Sequence, residues 1–441
     1  MKSVWQTTSS LPTFPPLEGD RKTEILVIGG GIAGLLCTHF LREAGADCLL
    51  LEANTICGGT TGHTTAKITA QHGLVYHRLL RQKGESAARQ YLEANLAALS
   101  AYRSLAQTID CDFEEQDSFV YSLTSRAALE QEAAALRRLG AAAEVVSPAL
   151  PFPTAGAVRL PSQAQFHPLK FLSALAKPLP IREHTRVQAL EPGLAHTNLG
   201  SVRAQKIIVA THFPFLNRHG SYFLKLYQQR SYVLALKGAP PISGMYVDEA
   251  QGGFSLRPYG DLLLLGGGGG RTGKPYGSWE QLSSFARRHF PQAEEASRFA
   301  AQDCVTLDGL PYIGPYSAST PWLFTATGFG KWGITTSMAA ARLLTDFVQG
   351  RPNPYASLFS PSRSLFHPQL AANALEATAN LLTPTVPRCP HMGCALKYNP
   401  EEHTWDCPCH GSRFAEDGRL LDNPANRPLS HPPKKKAAEP R

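Results

Sequence analysis

Glu24-Ile25-Leu26-Val27-Ile28-Gly29, followed at once by Gly30-Gly31-Ile32-Ala33-Gly34, is the stretch from which the fold is read. Its first six residues are a short apolar, β-branched run, the pattern of a strand buried in a parallel sheet. Gly29, Gly31 and Gly34 then fit G-x-G-x-x-G. The first glycine allows the tight turn, the second lets backbone approach a pyrophosphate, and the third lets helix pack on strand. The helix N-terminus is left to bind phosphate. Residues 35–44 continue with helical periodicity until Gly45 stops them. A second strand, residues 48–51 (CLLL), ends in Glu52, at about the 20-residue distance where a carboxylate accepts from a ribose hydroxyl. Strand, turn, helix, strand and acid in this order predict a dinucleotide site without separating FAD from NAD.

Other segments decide between the two. Asp308-Gly309-Leu310-Pro311-Tyr312-Ile313-Gly314 precedes an apolar strand at residues 322–326. A second glycine-rich turn follows, Thr327-Gly328-Phe329-Gly330-Lys331-Trp332-Gly333-Ile334, opening a helix over residues 335–348. Upstream lie a small-residue loop at residues 58–67 (GGTTGHTTAK), a strand at residues 185–190 (TRVQAL) and another at residues 206–211 (KIIVAT). Each alone reads as an ordinary strand or turn. Their order over residues 21–360 resembles the D-amino acid oxidase superfamily of FAD-dependent oxidoreductases. The wording HTTAKITAQH and GFGKWGIT is closer still to a bacterial branch of such enzymes fused to a Rieske domain.

That resemblance implies FAD as cofactor, held by Gly29, Gly31, Gly34, Glu52, Thr60, Thr61, Thr65, Val187, Thr211, Gly328, Gly330, Trp332, Gly333 and Ile334. It places Lys331 near the flavin N1/C2 carbonyl or a reactive water, and Trp332 beside the ring, with helix capping and core packing as equal alternatives. Arg257 and Tyr259, in residues 254–259 (FSLRPY), would lie on the sheet over the flavin and clamp a substrate carboxylate. An ordinary surface ion pair is the competing reading of Arg257.

Cysteine usage is asymmetric: five residues are scattered over the first 304 positions and four lie between Cys389 and Cys409. Cys37 and Cys48 sit in apolar stretches and read as core. Cys57, Cys111 and Cys304 read as structural too. The cluster comprises Cys389-Pro390-His391-Met392-Gly393-Cys394 and Cys407-Pro408-Cys409-His410-Gly411-Ser412. A [2Fe-2S] centre with two thiolates on one iron and two imidazoles on the other takes one Cys and one His from each of two loops, and C-x-H with C-x-x-H supplies them. The stretch resembles the Rieske fold. The resemblance makes Cys389, His391, Cys407 and His410 the ligands and Cys394 with Cys409 a loop-bridging disulfide. Trp405, Gly411, Ser412 and Phe414 also fit, the Ser412 hydroxyl facing a bridging sulfide. A Cys2His2 zinc site is the sober alternative, but zinc has no use for the extra cysteine pair. Only residues 365–388 precede the first ligand loop, and residues 369–382 look helical. A truncated Rieske domain, covered by the flavoprotein itself, is therefore expected.

The fold class expected is α/β: a Rossmann-like FAD-binding domain with an inserted α+β substrate domain, plus a small all-β Rieske domain. Residues 1–20 read as a disordered Ser/Thr/Pro-rich arm. Residues 21–100, 151–215 and 301–350 are assigned to the FAD domain, and 101–150 with 216–300 to the substrate or cap domain. A linker over 351–384, the Rieske domain over 385–433 and a basic tail over 434–441 complete the chain. Helices at residues 85–106 and 127–140 are expected to cap the substrate cavity.

An apolar content of 43% with 18% charged residues is ordinary globular composition, and no apolar run approaches a membrane span. Without an h-region in the arm, the cytoplasm is the expected compartment. The net charge of +8 is spread along the chain apart from Lys434-Lys435-Lys436, so no nucleic-acid partner is inferred. Two near-misses are set aside. Residues 268–274 have P-loop spacing, but Pro275 stands where a hydroxyl must bind Mg²⁺, and residues 266–270 read as a flexible turn. His72 and His77 have the spacing of a mononuclear iron site, yet Thr69 occupies the carboxylate position. A flavin takes two electrons and a [2Fe-2S] centre carries one. The expected activity is oxidation of an amine, amino acid or hydroxy acid at the flavin, with single electrons passing through the cluster to an acceptor protein, or the reverse. A redox sensor or electron-carrier module is the alternative.

Overall fold

The computed structural model describes residues 1–217, 219–274, 278–364, 366–384 and 387–430. The Lys434-Lys435-Lys436 run and Pro275 lie outside them. Three sheets organise the described residues.

The first sheet has eight strands and is built around Arg21–Ile28, which pairs in parallel with both Cys48–Leu51 and Gly200–Val209. Ile25, Leu26 and Val27 are all buried, because neighbouring layers cover both faces of this strand. Leu323–Thr327 extends the parallel order beyond Gly200–Val209, and Tyr312–Pro315 turns back antiparallel at the edge. Helices Ile32–Glu43 and Gly333–Val348 pack against each other, and Val75–Ala106 packs on the latter.

The second sheet has nine strands, running from Glu294–Thr306 through Leu226–Lys237, Leu262–Arg271, Ser255–Tyr259, Met245–Asp248, Glu114–Ser122 and Gly156–Gln165 to Lys67–Ile68, with Glu144–Val146 pairing beside this path on Gly156–Gln165. It corrects the expected boundaries. Gly156–Gln165 and Lys67–Ile68, assigned to the FAD domain, are strands of this sheet, and Glu294–Thr306 runs through the boundary placed at residue 300. Pairing between strands distant in the chain moved these segments, and local pattern carries no record of it.

Residues 266–270 are likewise no flexible turn: they lie inside the strand Leu262–Arg271. A Cβ on Gly269 would lie 2.6 Å from Ser231 Oγ and 2.7 Å from the Arg230 carbonyl oxygen. The glycines here serve close approach of neighbouring strands rather than looseness. Helices Val75–Ala106, broken at Gly84, and Arg126–Arg138 do not cap a cavity. Val75–Ala106 packs on Gly333–Val348, with Tyr102 Oη donating to the Ile334 carbonyl at 2.9 Å, and Arg126–Arg138 packs on Val75–Ala106 and on the second-sheet strands Glu114–Ser122 and Gly156–Gln165.

The N-terminal arm is ordered, contrary to its composition. Ser3 caps the helix Val4–Thr8 in a capping box with Gln6. Trp5 is fully buried, its Nε1 donating to the Thr64 carbonyl and its ring facing Tyr259 at 4.8 Å and the Arg257 guanidinium at 5.0 Å. A single large aromatic held on every side outweighs the disorder signal of the surrounding Ser, Thr and Pro.

The third sheet contains four strands of three residues each, Lys397–Asn399, Thr404–Asp406, Arg413–Ala415 and Leu420–Asp422, all antiparallel. So small a sheet buries little apolar surface. Charge ties it together instead: buried Arg413 reaches Asp406 at 3.1 Å, Glu402 at 3.1 Å and Asp422 at 3.0 Å. Glu402 also pairs with Arg230 of the second sheet. Burial alone would raise the Glu402 carboxyl, but Arg230 and Arg413 together hold it below its usual range. The helix Pro368–Leu382 closes another side, with the Asn380 carbonyl accepting from Ala395 N.

Because Trp5 is a packed core residue, Trp5→Ala should lower unfolding stability by about 3–5 kcal/mol. Denaturant unfolding followed by far-UV circular dichroism measures it; an unchanged midpoint would return the arm to the disordered reading.

Candidate flavin cavity and metal centre

A cavity of about 660 Å³ lies between the two large sheets, lined from one side by residues such as Gly29, Glu52 and Thr211 and from the other by Ser231, Gly266 and Asp303. Backbone crowding shapes its dinucleotide end. A Cβ on Gly34 would lie 1.9 Å from the Gly29 carbonyl oxygen, and one on Gly29 2.6 Å from that of Ala210. Neither position admits a side chain, so helix Ile32–Glu43 starts directly against the strand. Its Ncap, Gly31, lines the cavity and offers no side-chain cap, which leaves the helix N-terminus facing the cavity. Thr61 Oγ1 accepts from Ile32 N at 3.1 Å. The Glu52 carboxylate accepts from Gly30 N at 2.7 Å and Asn54 N at 2.8 Å. Val187 lines the same end beside Thr185 and Arg186. This arrangement fits a dinucleotide: a glycine cradle, a helix terminus for phosphate, an acid for ribose and an apolar wall.

Thr60, Thr65, Gly330, Lys331, Trp332, Gly333 and Ile334 line the cavity as well, and Gly328 does not. Gly328 instead makes the turn possible, at φ +75° with its hypothetical Cβ 2.2 Å from Thr306 Cγ2. Gly330 N donates to the Cys304 carbonyl at 2.9 Å, which ties the turn to the second sheet. Lys331 is exposed at φ +75°. Trp332 stacks on His72 with centroids 4.6 Å apart and planes at 15°. His72 is engaged on both nitrogens, by Tyr91 Oη at 2.7 Å and by the Thr69 carbonyl at 2.8 Å. Burial pulls its pKa down to about 3, so it is a neutral support for Trp332.

Arg257 and Tyr259 are not cavity residues, and this corrects the carboxylate-clamp reading and the surface ion pair alike. Arg257 is fully buried, and its guanidinium donates to Gln165 Oε1 at 2.9 Å and to the carbonyls of Thr65 at 2.8 Å and Phe166 at 2.9 Å. Tyr259 Oη donates to Asp112 at 2.8 Å near the surface. Both side chains pack against Trp5, and neither is among the residues lining the cavity.

Several cavity residues escaped the sequence reading. Lys67 is one, its ammonium lowered to about 7 by burial and then by Arg257. Asp303 is another: burial raises its carboxyl while Lys331, His212 and Arg230 pull it back. His212 holds φ +69° and keeps Nε2 buried without a protein partner. Alternation along a strand cannot tell which face meets a cavity, so Asp303 carries no local signal, whereas Lys67 closes the 58–67 loop that the resemblance already places beside the cofactor. Cys57 and Cys304 also line the cavity, and burial raises both thiols, Cys304 to about 12.

Residues 420–423, 425 and 426 of the C-terminal domain line this cavity too. Beyond them the predicted metal ligands come together. Each ligand loop closes on its own cysteine: Gly393 N donates to the Cys389 carbonyl at 2.9 Å, and Gly411 N to that of Cys407 at 2.8 Å. The His391 and His410 rings lie 4.9 Å apart at 88°. Both Nδ1 atoms are buried without a protein partner, an arrangement that costs free energy unless a metal takes them. His391 Nε2 meets Asn217 Oδ1 at 2.7 Å, fixing the tautomer that presents Nδ1 as a ligand. Burial, then His410, lowers His391 to about 4, the neutral form a metal requires. Cys407 is held well below its usual range by hydrogen bonds from Cys389, Cys394 and Cys409. Ser412 Oγ accepts from Ala425 N at 3.0 Å and also contacts Cys389. These residues fit a [2Fe-2S] cluster. The sulfurs of Cys394, Cys409 and Cys407 lie within 4.8 Å of one another.

Comparison with known proteins agrees with both sites. The family model for FAD dependent oxidoreductases matches residues 24–347, and that for the Rieske [2Fe-2S] domain matches residues 380–433. The chain is 34% identical over 495 aligned positions to the putative Rieske 2Fe-2S iron-sulfur protein YhfW of Bacillus subtilis (strain 168), covering 97% of each. Its end is 48% identical over 44 residues to a cytochrome b6-f complex iron-sulfur subunit of a Nostoc species, covering 10% of this chain and 25% of that one. Among solved structures, glycine oxidase from Geobacillus kaustophilus superposes with a TM-score of 0.65 at 19% identity, covering 78% of this chain and 100% of that one. L-Proline dehydrogenase from P. horikoshii gives 0.67 at 16%, covering 78% and 98%. The chain belongs to the FAD-dependent oxidoreductase family of the D-amino acid oxidase type and ends in a Rieske [2Fe-2S] domain.

Proposed function

We propose that this protein oxidises a small amine, amino acid or hydroxy acid at the flavin and passes the electrons singly through the cluster to a one-electron acceptor protein, in the cytoplasm. The observation carrying this reading is the shared wall: residues 420–423, 425 and 426 of the Rieske domain line the flavin cavity. Two redox sites with a common wall suit electron exchange better than two independent activities. The amino acid substrates named for the solved glycine oxidase and L-proline dehydrogenase support the substrate class. Among the described residues no helix is long and apolar enough to cross a membrane.

FAD supplies two-electron chemistry with organic substrates, and the cluster supplies one-electron steps. The chain's own residues do the rest. Gly29, Gly31 and Gly34 admit the diphosphate to the N-terminus of Ile32–Glu43, and Glu52 orients the ribose. Val187 forms the apolar wall, while Thr60, Thr61, Thr65 and Thr211 hold the middle of the cofactor. Trp332, steadied by His72, and Gly328, Gly330, Gly333 and Ile334 shape the turn beside the ring. With Arg257 committed to packing and Arg186 at the dinucleotide end beside Val187, substrate anchoring falls to Lys67 and Lys331. Asp303, facing Lys331, His212 and Arg230, takes the substrate proton on its carboxylate. Cys389, Cys407, His391 Nδ1 and His410 Nδ1 hold the two irons. The paired thiols of Cys394 and Cys409 are placed to form the loop-bridging disulfide on oxidation.

Asp303→Asn should slow substrate-dependent flavin bleaching about 10²–10⁴-fold with FAD content unchanged, read by anaerobic stopped-flow absorption. Because the Asp303 pKa is raised, its basic form appears only above the ordinary carboxylate range. The wild-type rate should therefore climb with pH through that raised value, and the variant should lose this limb.

Wild-type protein should contain about two iron atoms per FAD and give a Rieske-type EPR signal when reduced. Cys407→Ser should lose the iron, the signal and acceptor reduction while keeping flavin bleaching by substrate. If no amine, amino acid or hydroxy acid bleaches the flavin, the protein is an electron-carrier module instead.

A further inference from the structure

Four consecutive backbone carbonyls of the second ligand loop are each taken by a side chain of the nine-stranded sheet. Arg271 donates through Nε to Pro408 at 2.9 Å and through Nη2 to Cys409 at 3.0 Å. Gln228 Nε2 donates to His410 at 2.8 Å, and Gln302 Nε2 to Gly411 at 2.8 Å. The two glutamines are buried and fully committed. Gln302 Nε2 also donates to Gln228 Oε1 at 2.9 Å, Thr272 Oγ1 donates to Gln302 Oε1 at 3.0 Å, and Gln228 Nε2 reaches the Asn423 carbonyl at 2.9 Å. Gly411 allows the approach: at φ +82°, a Cβ there would lie 2.5 Å from Gln228 Cβ.

The same Gln302 reaches the flavin side. Its backbone carbonyl accepts from Thr60 Oγ1 at 2.7 Å, and Thr60 lines the cavity. One residue therefore bridges the loop assigned to the flavin and the loop that carries His410.

We propose that Gln302 and Gln228 are positioning residues for electron transfer: they clamp the cluster's ligand loop on the flavin cavity and make Thr60–Gln302–Gly411 a hydrogen-bonded route between the two redox sites. This rests on the electron-transfer reading above. In each turnover the two electrons removed from the substrate leave the reduced flavin one after the other. Each reduces the cluster and then one molecule of acceptor protein, and the flavin's protons are released to solvent. Tunnelling falls steeply with every ångström of empty gap and less steeply through bonded atoms, so a fixed, dry, hydrogen-bonded contact sets the rate. Every hydrogen bond that Gln302 and Gln228 offer is occupied, so a change of either loosens this contact rather than a spare surface.

The test compares the holoprotein with Gln302→Leu and Gln228→Leu, two near-isosteric variants, so that a folding failure in one leaves the other. Hydrogen exchange by mass spectrometry reads protection of residues 405–414. Stopped-flow absorption reads flavin reduction by substrate, and freeze-quench EPR reads appearance of the reduced cluster. The proposal expects at least tenfold faster exchange in that segment and at least tenfold slower cluster reduction, with flavin reduction, FAD and iron content unchanged. Cluster reduction within twofold of wild type, or a parallel fall in flavin and cluster reduction, overturns the positioning role. A wild-type protein whose flavin and cluster exchange no electrons overturns the electron-transfer reading and the route with it. Hydrogen exchange then decides the clamp separately: unchanged protection in both variants overturns it.

Discussion

A domain whose sheet consists of four three-residue strands cannot bury enough apolar surface to hold two ligand loops in place, and that shortage governs the rest of this molecule. The missing support comes from three directions. The Arg413 side chain gathers Glu402, Asp406 and Asp422, the helix Pro368–Leu382 closes one side, and the large sheet grips the second ligand loop from outside. Buried ion pairs add little over an apolar core of the same shape, but removal of one partner is severe. The network therefore specifies where the small domain sits more than how stable it is.

Placement has a chemical consequence. Since the Rieske domain borrows its support from the sheet that walls the flavin cavity, the two redox sites lie back to back. Asn423 makes this concrete: its carbonyl accepts from Gln228, and its side-chain amide donates to the carbonyls of Thr211 and Phe213 beside the cavity. Phe213 in turn sets its ring edge-on against both cluster histidines, at 6.4 Å from His391 and 6.2 Å from His410. The Phe213 ring is fully buried there.

Some of the misreadings share one cause. The arm was taken for disorder because Ser, Thr and Pro dominate it, yet one tryptophan in a pocket of Tyr259, His167 and Arg257 orders it. The resemblance of residues 254–259 to the sheet over a flavin makes Arg257 a carboxylate clamp, with a surface ion pair as the competing reading. Arg257 is instead the buried hub that receives that tryptophan. The glycines at residues 266–270 were read as loose, whereas crowding by Ser231 and its neighbours requires them. In each case the deciding partner is far away in sequence.

The sequence by itself determined the features whose physics is local. A glycine cradle with an acid about twenty residues on needs only one strand, one turn and one helix. Four candidate ligands in two tight loops need only their own spacing, which is why the Cys389–His391 and Cys407–His410 sets are legible without any fold. Tertiary structure alone decided what depends on which surfaces meet. It set Asp303 and Lys67 in the cavity wall, committed Arg257 to Gln165, Thr65 and Phe166, joined Gly156–Gln165 to the second sheet, and set Gln228 and Gln302 against the second Cys–His loop. Those outcomes follow from close packing and hydrogen-bond satisfaction between segments remote in the chain, and no window of sequence contains both sides of such a contact.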